Sequence, residues 1–437
     1  MWISTLVREG EEPIRLCNYV DVYHNDRIRA DISFMPATAK KAEIRRFRMA
    51  AGDVLLTKDS EDWTDIGVPA LVEYAADDLV CGYHLAMLRP SSAFLDSGYL
   101  FRALGDSGVA RQFQVAANGV TRYGLSRNAI RSVRIPLPPL PEQNTIARFL
   151  DAADRRIRRY IRAKERLVEL LDERKRALIH EAVTGRIDVR TGQPYPAYKD
   201  SGFAWLGKVP EHWEVSRVKT EFHCLNRHRI PLSGTQRGAM KQREYDYYGA
   251  SGVIDKVDDY LFDDTLLLIA EDGANLVLRN LPLAIIARGK FWVNNHAHIL
   301  KPKRSHIEFL GSVMENLSYL PWISGAAQPK LTQDRLMSIA IAVPPRLEQD
   351  QIVDSLAATT LAITSATKDA ERQIELLREY RTRLIADVVT GKLDVRDAAA
   401  RLPETAPLAD DRDRADTIPA ESSLHSTVHH MAKEASA

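Results

Sequence analysis

VTGRIDVR occupies residues 183–190 and VTGKLDVR occupies residues 389–396. The second octapeptide ends 206 residues after the first (396 − 190), and residues 119–190 slide over 325–396 at that offset without a gap. Gly119 falls on Gly325, Leu125 on Leu331, Pro138-Pro139 on Pro344-Pro345 and Glu142-Gln143 on Glu348-Gln349. From Arg134 to Arg190, 23 of 57 positions are identical to their counterparts. An ungapped match of that density marks an internal duplication.

Each copy is helical by its apolar spacing. Ile146, Leu150, Ala153, Ile157, Lys164, Leu167, Leu171 and Leu178 follow an alternating three-and-four stripe, repeated by Ile352, Leu356, Ile363, Ala370, Leu377 and Leu384. Each helix opens at a Pro-rich stop with an acidic first turn (PPLPEQ, PPRLEQ) and closes at Thr-Gly, with Gly185 and Gly391 placed as C-terminal caps. A helix running from Glu142 to Thr184 would be about 60 Å long at 1.5 Å per residue. The plainest reading is an antiparallel coiled coil joining two domains. Lys164, Thr359 and Gln373 on the stripe weaken each helix as a self-sufficient zipper and leave room for other docking surfaces.

The boundaries that follow are a first domain over 1–136, a helical spacer over 137–200, a second domain over 201–342, a second spacer over 343–400 and a tail over 401–437. The tail is rich in Ala, Asp, Ser and Pro and is expected to be disordered. The two domains carry short β-rich runs broken by Gly, Pro and Asp, among them GDVLLT, YHLAML, YLFDDTLLLIAEDG, LPLAIIARG and HAHILKP. Outside the stretch just before each helix, no register between the two domains is evident. The scaffold is kept while the heads diverge.

Composition excludes several classes. The 437 residues are 45% hydrophobic, enough for two cores, and carry a net charge of +1, which argues against uniform coating of nucleic acid but permits local basic faces. There is no run of about 18 apolar residues to span a membrane, and MWISTLVREGEEP lacks the order of a signal peptide, so a cytoplasmic location is expected. Cys17, Cys81 and Cys224 are odd in number and far apart, which fits small buried hydrophobes better than disulfides or a zinc ribbon. GFAWLGKV (202–209) nearly spells a phosphate loop, but Val209 stands where Ser or Thr would hold magnesium and Pro210 follows. No catalytic signature, Gly-rich cofactor loop or metal set is convincing, so neither a catalytic nor a metal site is expected.

The motifs RLCNYVDVY, GDVLLTKDSEDW, GVTRYGLSRNAIRSVRIPLPPLPEQ, GFAWLGKVPEHWEV and YYGASGVIDKVDDYLFDDTLLLIAEDGAN, in this order along the chain, resemble the specificity subunits of type I restriction-modification systems. The resemblance covers nearly the whole chain apart from the tail. It implies an α+β architecture: two mixed α/β target-recognition domains joined by two long antiparallel coiled-coil helices in a pseudo-twofold repeat. It implies that each domain reads one half of a split double-stranded DNA sequence, with the helices setting the spacing. Two modification (methyltransferase) subunits and the restriction/translocase subunits are the implied partners. S-adenosylmethionine, ATP and magnesium belong to those partners, and this chain holds no cofactor. One departure is that the second head has a WLGKVPEHW lead-in and the first does not. Truncation, a misassigned start and replacement of that strand by another segment remain open. The other readings are a stand-alone sequence-specific methylase or nuclease, and a coiled-coil adaptor.

Charge supports DNA as the ligand. Between Ser107 and Arg134 stand Arg111, Arg122, Arg127, Arg131 and Arg134 with no acidic residue, a local positive face suited to phosphates. Base readout needs planar donors and acceptors, and the loop GVTRYGLS is replaced in the second head by GAAQPKLT. The candidate DNA-binding residues are therefore Lys58, Arg111, Thr121, Arg122, Tyr123 and Arg127 in the first head. In the second they are Asn294, Asn295, His296, Gln328 and Lys330. For Asn294, Asn295 and His296 a satisfied turn is an equal reading.

Overall fold

The computed structural model describes residues 10–325 and 328–403. The tail lies almost entirely outside the described residues, as do residues 1–9 of the first expected domain. The chain divides into two compact units, Met1–Arg158 with Arg378–Ala437, and Arg159–Leu377. The divisions fall inside the two long helices. No helix among the described residues is long and apolar enough to cross a membrane.

The first unit contains β1 (Glu12–Cys17), α1 (Tyr19–His24), β2 (Arg27–Ile28), β3 (Met35–Ala39), α2 (Lys41–Phe47), β4 (Val54–Thr57), β5 (Asp59–Ser60), β6 (Pro69–Val72), β7 (Leu79–Cys81) and β8 (Leu85–Leu88). It continues through α3 (Ser97–Leu104), α4 (Ser107–Ala116), β9 (Tyr123–Gly124), α5 (Arg127–Ser132) and the start of α6 (Leu140–Val183). Its central sheet runs β2-β6-β4-β8. The run VLLT of β4 is buried throughout because both faces are covered. Leu55 packs with Cys17, Ile28 and Val72, whereas Val54 and Leu56 pack with Leu100, Phe101 and Phe113.

The second unit contains the rest of α6, then β10 (Tyr198–Asp200), β11 (Lys208–Pro210), β12 (Glu214–Arg217), α7 (Val218–Glu221), β13 (Phe222–Cys224), α8 (Gly234–Gly238), β14 (Tyr245–Gly249) and β15 (Gly252–Val257). It continues through β16 (Phe262–Ala270), α9 (Asn275–Leu278), β17 (Ala284–Val293), β18 (Ala297–Pro302), α10 (Ile307–Asn316), β19 (Ile323–Ser324), β20 (Lys330–Leu331), α11 (Gln333–Ser338), β21 (Ala340–Val343) and the start of α12 (Arg346–Val389). Its sheet runs β13-β18-β16-β17-β14-β15.

The two heads share more than their sequences display. In both, a central strand is flanked by two antiparallel neighbours: β4 by β6 and β8, β16 by β17 and β18. In both, the next strand pairs parallel, β2 with β6 and β14 with β17. Heads without an evident register in sequence thus share a strand arrangement. A strand buried on both faces asks only for apolar side chains, so VLLT and LLLI serve alike.

The repeated segments then explain themselves. At the end of each long helix the glycine is left-handed, φ +71° at Gly185 and +74° at Gly391, the cap expected of both. Asp188 accepts from the backbone N of Arg190 at 2.9 Å and from its guanidinium at 2.8 and 2.6 Å. Asp394 and Arg396 form the same ring of bonds. The octapeptide is a self-contained stop, written once per helix.

Within each unit the beginning of one long helix meets the end of the other, running antiparallel. In the first unit Arg148 donates to Ala399 O at 2.6 Å in α13 (Arg396–Ala400), while Asp154, farther along α6, accepts from Arg381, which precedes Ala399 in the chain. In the second, Ala182 and Val183 share a core with Ile352.

The lead-in marks the difference between units. β12 pairs antiparallel with β21, and Trp213 is fully buried. Glu348 is buried and accepts from Tyr195 Oη at 2.5 Å and Trp213 Nε1 at 3.1 Å, with His212 Nε2 at 2.7 Å. Its counterpart Glu142 is exposed, and no strand among the described residues pairs with 134–137.

Candidate nucleic-acid interface

Each head builds one polar corner where the central strand ends. In the first unit, β4 runs into Lys58 and Asp59, and β5 pairs with β9, Asp59 opposite Gly124 and Ser60 opposite Tyr123. Asn118 and Gly124 exchange backbone bonds of 3.1 and 2.9 Å, and Leu125 N donates to Lys58 O at 2.7 Å. Gly119 allows this hairpin to close: its φ is +152°, and an added Cβ would lie 1.9 Å from Arg122 O. Thr121 and Arg122 are thereby exposed beside the strand end.

The side chains gathered there are cationic and aromatic. Lys58 Nζ pairs with Asp59 at 2.6 Å and lies 5.9 Å from the Tyr83 ring centroid. His84 Nδ1 is 3.0 Å from Asp59 Oδ2, and Arg122 Nη2 is 3.4 Å from His84 Nε2. Tyr83 lies tilted against the His84 ring at 3.6 Å, and Tyr19 meets its edge at 5.7 Å. Burial raises the Asp59 pKa, but the bonds from Lys58 and His84 outweigh it and the net shift is downward. Lys58, Arg122 and Tyr123 are therefore brought together, with Thr121 at the tip. Arg111 and Arg127 are exposed on α4 and α5.

The second unit repeats the frame with other side chains. Leu331 N donates to Glu271 O at 2.8 Å and Gly273 N to Pro329 O at 3.0 Å, tying the loop before β20 to the end of β16. Gly325, φ +87°, occupies the place of Gly119, and an added Cβ would lie 2.5 Å from Gln328 O. Glu271, where the first head has Lys58, is held by Arg229 and by Lys330 Nζ at 3.2 Å. Burial acts to raise the Glu271 pKa, and the Arg229 bond with the His298 and Lys330 neighbours carries it below its ordinary value. His296 Nδ1 is 2.9 Å from both Asp272 oxygens.

Of the remaining candidates, Gln328, Asn295 and His296 are exposed, whereas Asn294 is buried and its Oδ1 accepts from His296 N at 2.8 Å. Asn294 holds the turn that presents its neighbours. His298 is buried with both ring nitrogens engaged, Nε2 to Leu331 O and Nδ1 to Asn226 Nδ2, each at 2.8 Å; burial chiefly lowers its pKa. It is a core histidine.

Asp59, His84, Tyr83 and Tyr19 in one head and Arg229 in the other join these corners without having been singled out in the sequence. One signal was available. YHLAMLRP and NHAHILKP both end in a basic residue and proline, and aligning them there places His84 on His296.

Comparison with known proteins agrees. The family model of the type I restriction modification DNA specificity domain matches residues 41–167 and 210–376. A Haemophilus influenzae protein described provisionally as the type I restriction enzyme specificity subunit S.HindORF215P is 39% identical over 121 residues, which span 27% of this chain and 30% of that protein. A Methanocaldococcus jannaschii protein, described provisionally as the MjaX specificity subunit, is 25% identical over 369 residues, 82% of each chain. A solved structure from work on complex assembly and conformational transition of the type I R-M system has the same fold, with a TM-score of 0.66, 15% identity, and coverage of 88% of this chain and 93% of that one. With two heads of one topology, each matched by the same family model over most of its length, the chain belongs to the type I restriction-modification DNA specificity family.

Proposed function

We propose that the two heads each read one half of a split double-stranded DNA target, and that the chain itself is non-catalytic. The observation that carries this is a single backbone frame, built twice, that presents Lys58, Asp59, His84 and Arg122 in one head and Glu271, Asp272, His296 and Lys330 in the other. Equal frames with unequal polar groups suit two unlike half-sites, because groove readout depends on donor and acceptor pattern. Arg111, Thr121, Tyr123 and Arg127 in the first head, and Asn295 and Gln328 in the second, flank these corners as phosphate or base contacts, and Asn294 supports its loop.

The long helices carry the partners: two modification (methyltransferase) subunits, and through them the restriction/translocase subunits. Leu167, Leu170, Leu361, Leu376 and Tyr380 are exposed apolar residues on these helices, which supports a docking role. S-adenosylmethionine, ATP and magnesium serve the partners, no cofactor or metal binds this chain, and the assembly works in the cytoplasm.

Replacing residues 201–342 by the second head of another family member tests the reading. Sites methylated by the chain with its modification subunits should change in one half only, and the purified chain alone should methylate nothing. Changes in both halves, or methylation by the chain alone, would refute it.

A further inference from the structure

We infer that one aspartate–histidine pair per head is a matched DNA-contact element, acting through Arg122 in the first head and through the imidazole itself in the second. The inference rests on the proposed reading of DNA by the heads. Asp59–His84 and Asp272–His296 occupy equivalent places, the carboxylate following the central strand and the histidine preceding the antiparallel neighbour. In both, Nδ1 faces the carboxylate, which selects the tautomer and fixes the ring plane.

What stands at Nε2 differs. In the first head Arg122 Nη2 lies 3.4 Å from it. A carboxylate-held imidazole with its proton on Nδ1 presents Nε2 as an acceptor, so the guanidinium donates one N–H there and keeps the remaining donors of its fork for a base or phosphate. Tyr83 and Tyr19 pack the ring in place. His84 and Asp59 are therefore positioning residues for Arg122. In the second head the side-chain bonds of His296 among the described residues run to Asp272, and its side chain is 48% exposed. With Nδ1 occupied, the exposed edge carries Nε2, which offers DNA a single group where the first head offers an arginine fork. The two corners thus differ in what they can recognise while sharing the device that orients it.

The test uses the full chain assembled with its modification subunits and a random-sequence duplex library, reading methylated sites by sequencing and binding across a salt series. His84→Ala and Arg122→Ala should each relax the same positions of one half-site, with about tenfold or greater loss of discrimination there, and the double variant should lose little more than either alone. Asp59→Asn should move the same positions, whereas Arg122→Lys, which keeps charge but not the fork, should not restore them. His296→Ala and Asp272→Asn should relax only the other half-site. Unchanged half-site preference in soluble His84→Ala and Asp59→Asn complexes, or additive losses in the double variant, would overturn the inference while leaving the two-head reading intact. A wild-type complex with no bipartite preference would instead remove the reading beneath it.

Discussion

Gln143 and Gln349, 206 residues apart, share two bonds in their respective units, one to a helix-cap N–H and one to a proline carbonyl. Gln143 Oε1 accepts from Asp96 N at 2.8 Å, and its Nε2 donates to Phe94 O and Pro138 O at 3.0 and 2.8 Å. Gln349 Oε1 accepts from His306 N at 2.7 Å and its Nε2 donates to Pro344 O at 2.9 Å. Each buried amide joins the Pro-Pro entrance of a long helix to the cap of the helix that covers its head, Asp96 before α3 and His306 before α10. Changing either glutamine to alanine leaves a half-buried backbone N–H without its side-chain partner, a cost of about 1 kcal/mol or more. Gln143→Ala and Gln349→Ala should lower the urea midpoint by similar amounts without changing the slope. A neutral effect at either site would show that water replaces the amide.

Why this pair is legible in the sequence, and much of the head is not, follows from the kind of bond. The Glu-Gln entrance and the octapeptide stop act on nearby backbone, so their residues recur at fixed offsets and the duplication exposes them. The long helices are legible for the same reason, through the stripe that each must bury. The central strands require only burial, so their shared topology leaves no shared letters. Asp59 and His84 are 25 residues apart, and Asp272 and His296 are 24 apart; no local period links groups that meet only across strands. Asn294, by contrast, was readable as a turn residue, since an Asn side chain bonding two residues onward is a local habit.

A second prediction concerns acid. Asp154 in α6 is buried, and although burial pushes its pKa up, Arg102, then Arg381 and Arg158, pull it down to about 2. Arg102, itself buried, also pairs with Asp151 at 2.6 Å. Because the folded pKa lies below the ordinary carboxylate value, this group stabilises the fold above about pH 4. That stabilisation is lost as the pH falls toward 2. Asp154→Asn should therefore be destabilising at pH 7, by about 2–3 kcal/mol, since Arg102 keeps Asp151 and Arg158 and Arg381 keep Asp26. It should also flatten the stability profile between pH 4 and 2. Parallel profiles for the variant and the parent would exclude Asp154 as the titrating group.

Glu348 and Glu142 supply a third. Glu348 holds Tyr195, His212 and Trp213 against the start of α12, and burial, followed by this carboxylate, raises the Tyr195 pKa. Glu142, at the same place in α6, is exposed. Glu348→Ala should cost about 2 kcal/mol or more, because buried donors lose their acceptor. Glu142→Ala should stay within about 0.5 kcal/mol, as surface changes generally do. Equal midpoints in urea for the two variants would mean that the aromatic cover over Glu348 contributes nothing to stability.

The two helix-stop glycines separate backbone strain from packing. Gly185 and Gly391 have nearly the same left-handed φ, so alanine at either should pay the same conformational cost, about 1–2 kcal/mol. Their surroundings are unequal. A Cβ on Gly185 would sit 2.4 Å from Pro210 Cδ and 3.2 Å from the Trp213 ring, whereas one on Gly391 meets nothing within 4 Å. Both neighbours of Gly185 belong to the lead-in, whose proline ring and buried indole cannot give way as a flexible chain end would. Gly185→Ala should therefore cost about 1–3 kcal/mol more than Gly391→Ala, the usual scale of overpacking. It should also disturb the bonds of Trp213 to Glu348, visible as a change in the near-ultraviolet circular dichroism of the tryptophans, while Gly391→Ala leaves that spectrum alone. If the two alanine variants melted together with unaltered spectra, the lead-in would not pack on the first helix stop, and the asymmetry between the units would have to be sought elsewhere.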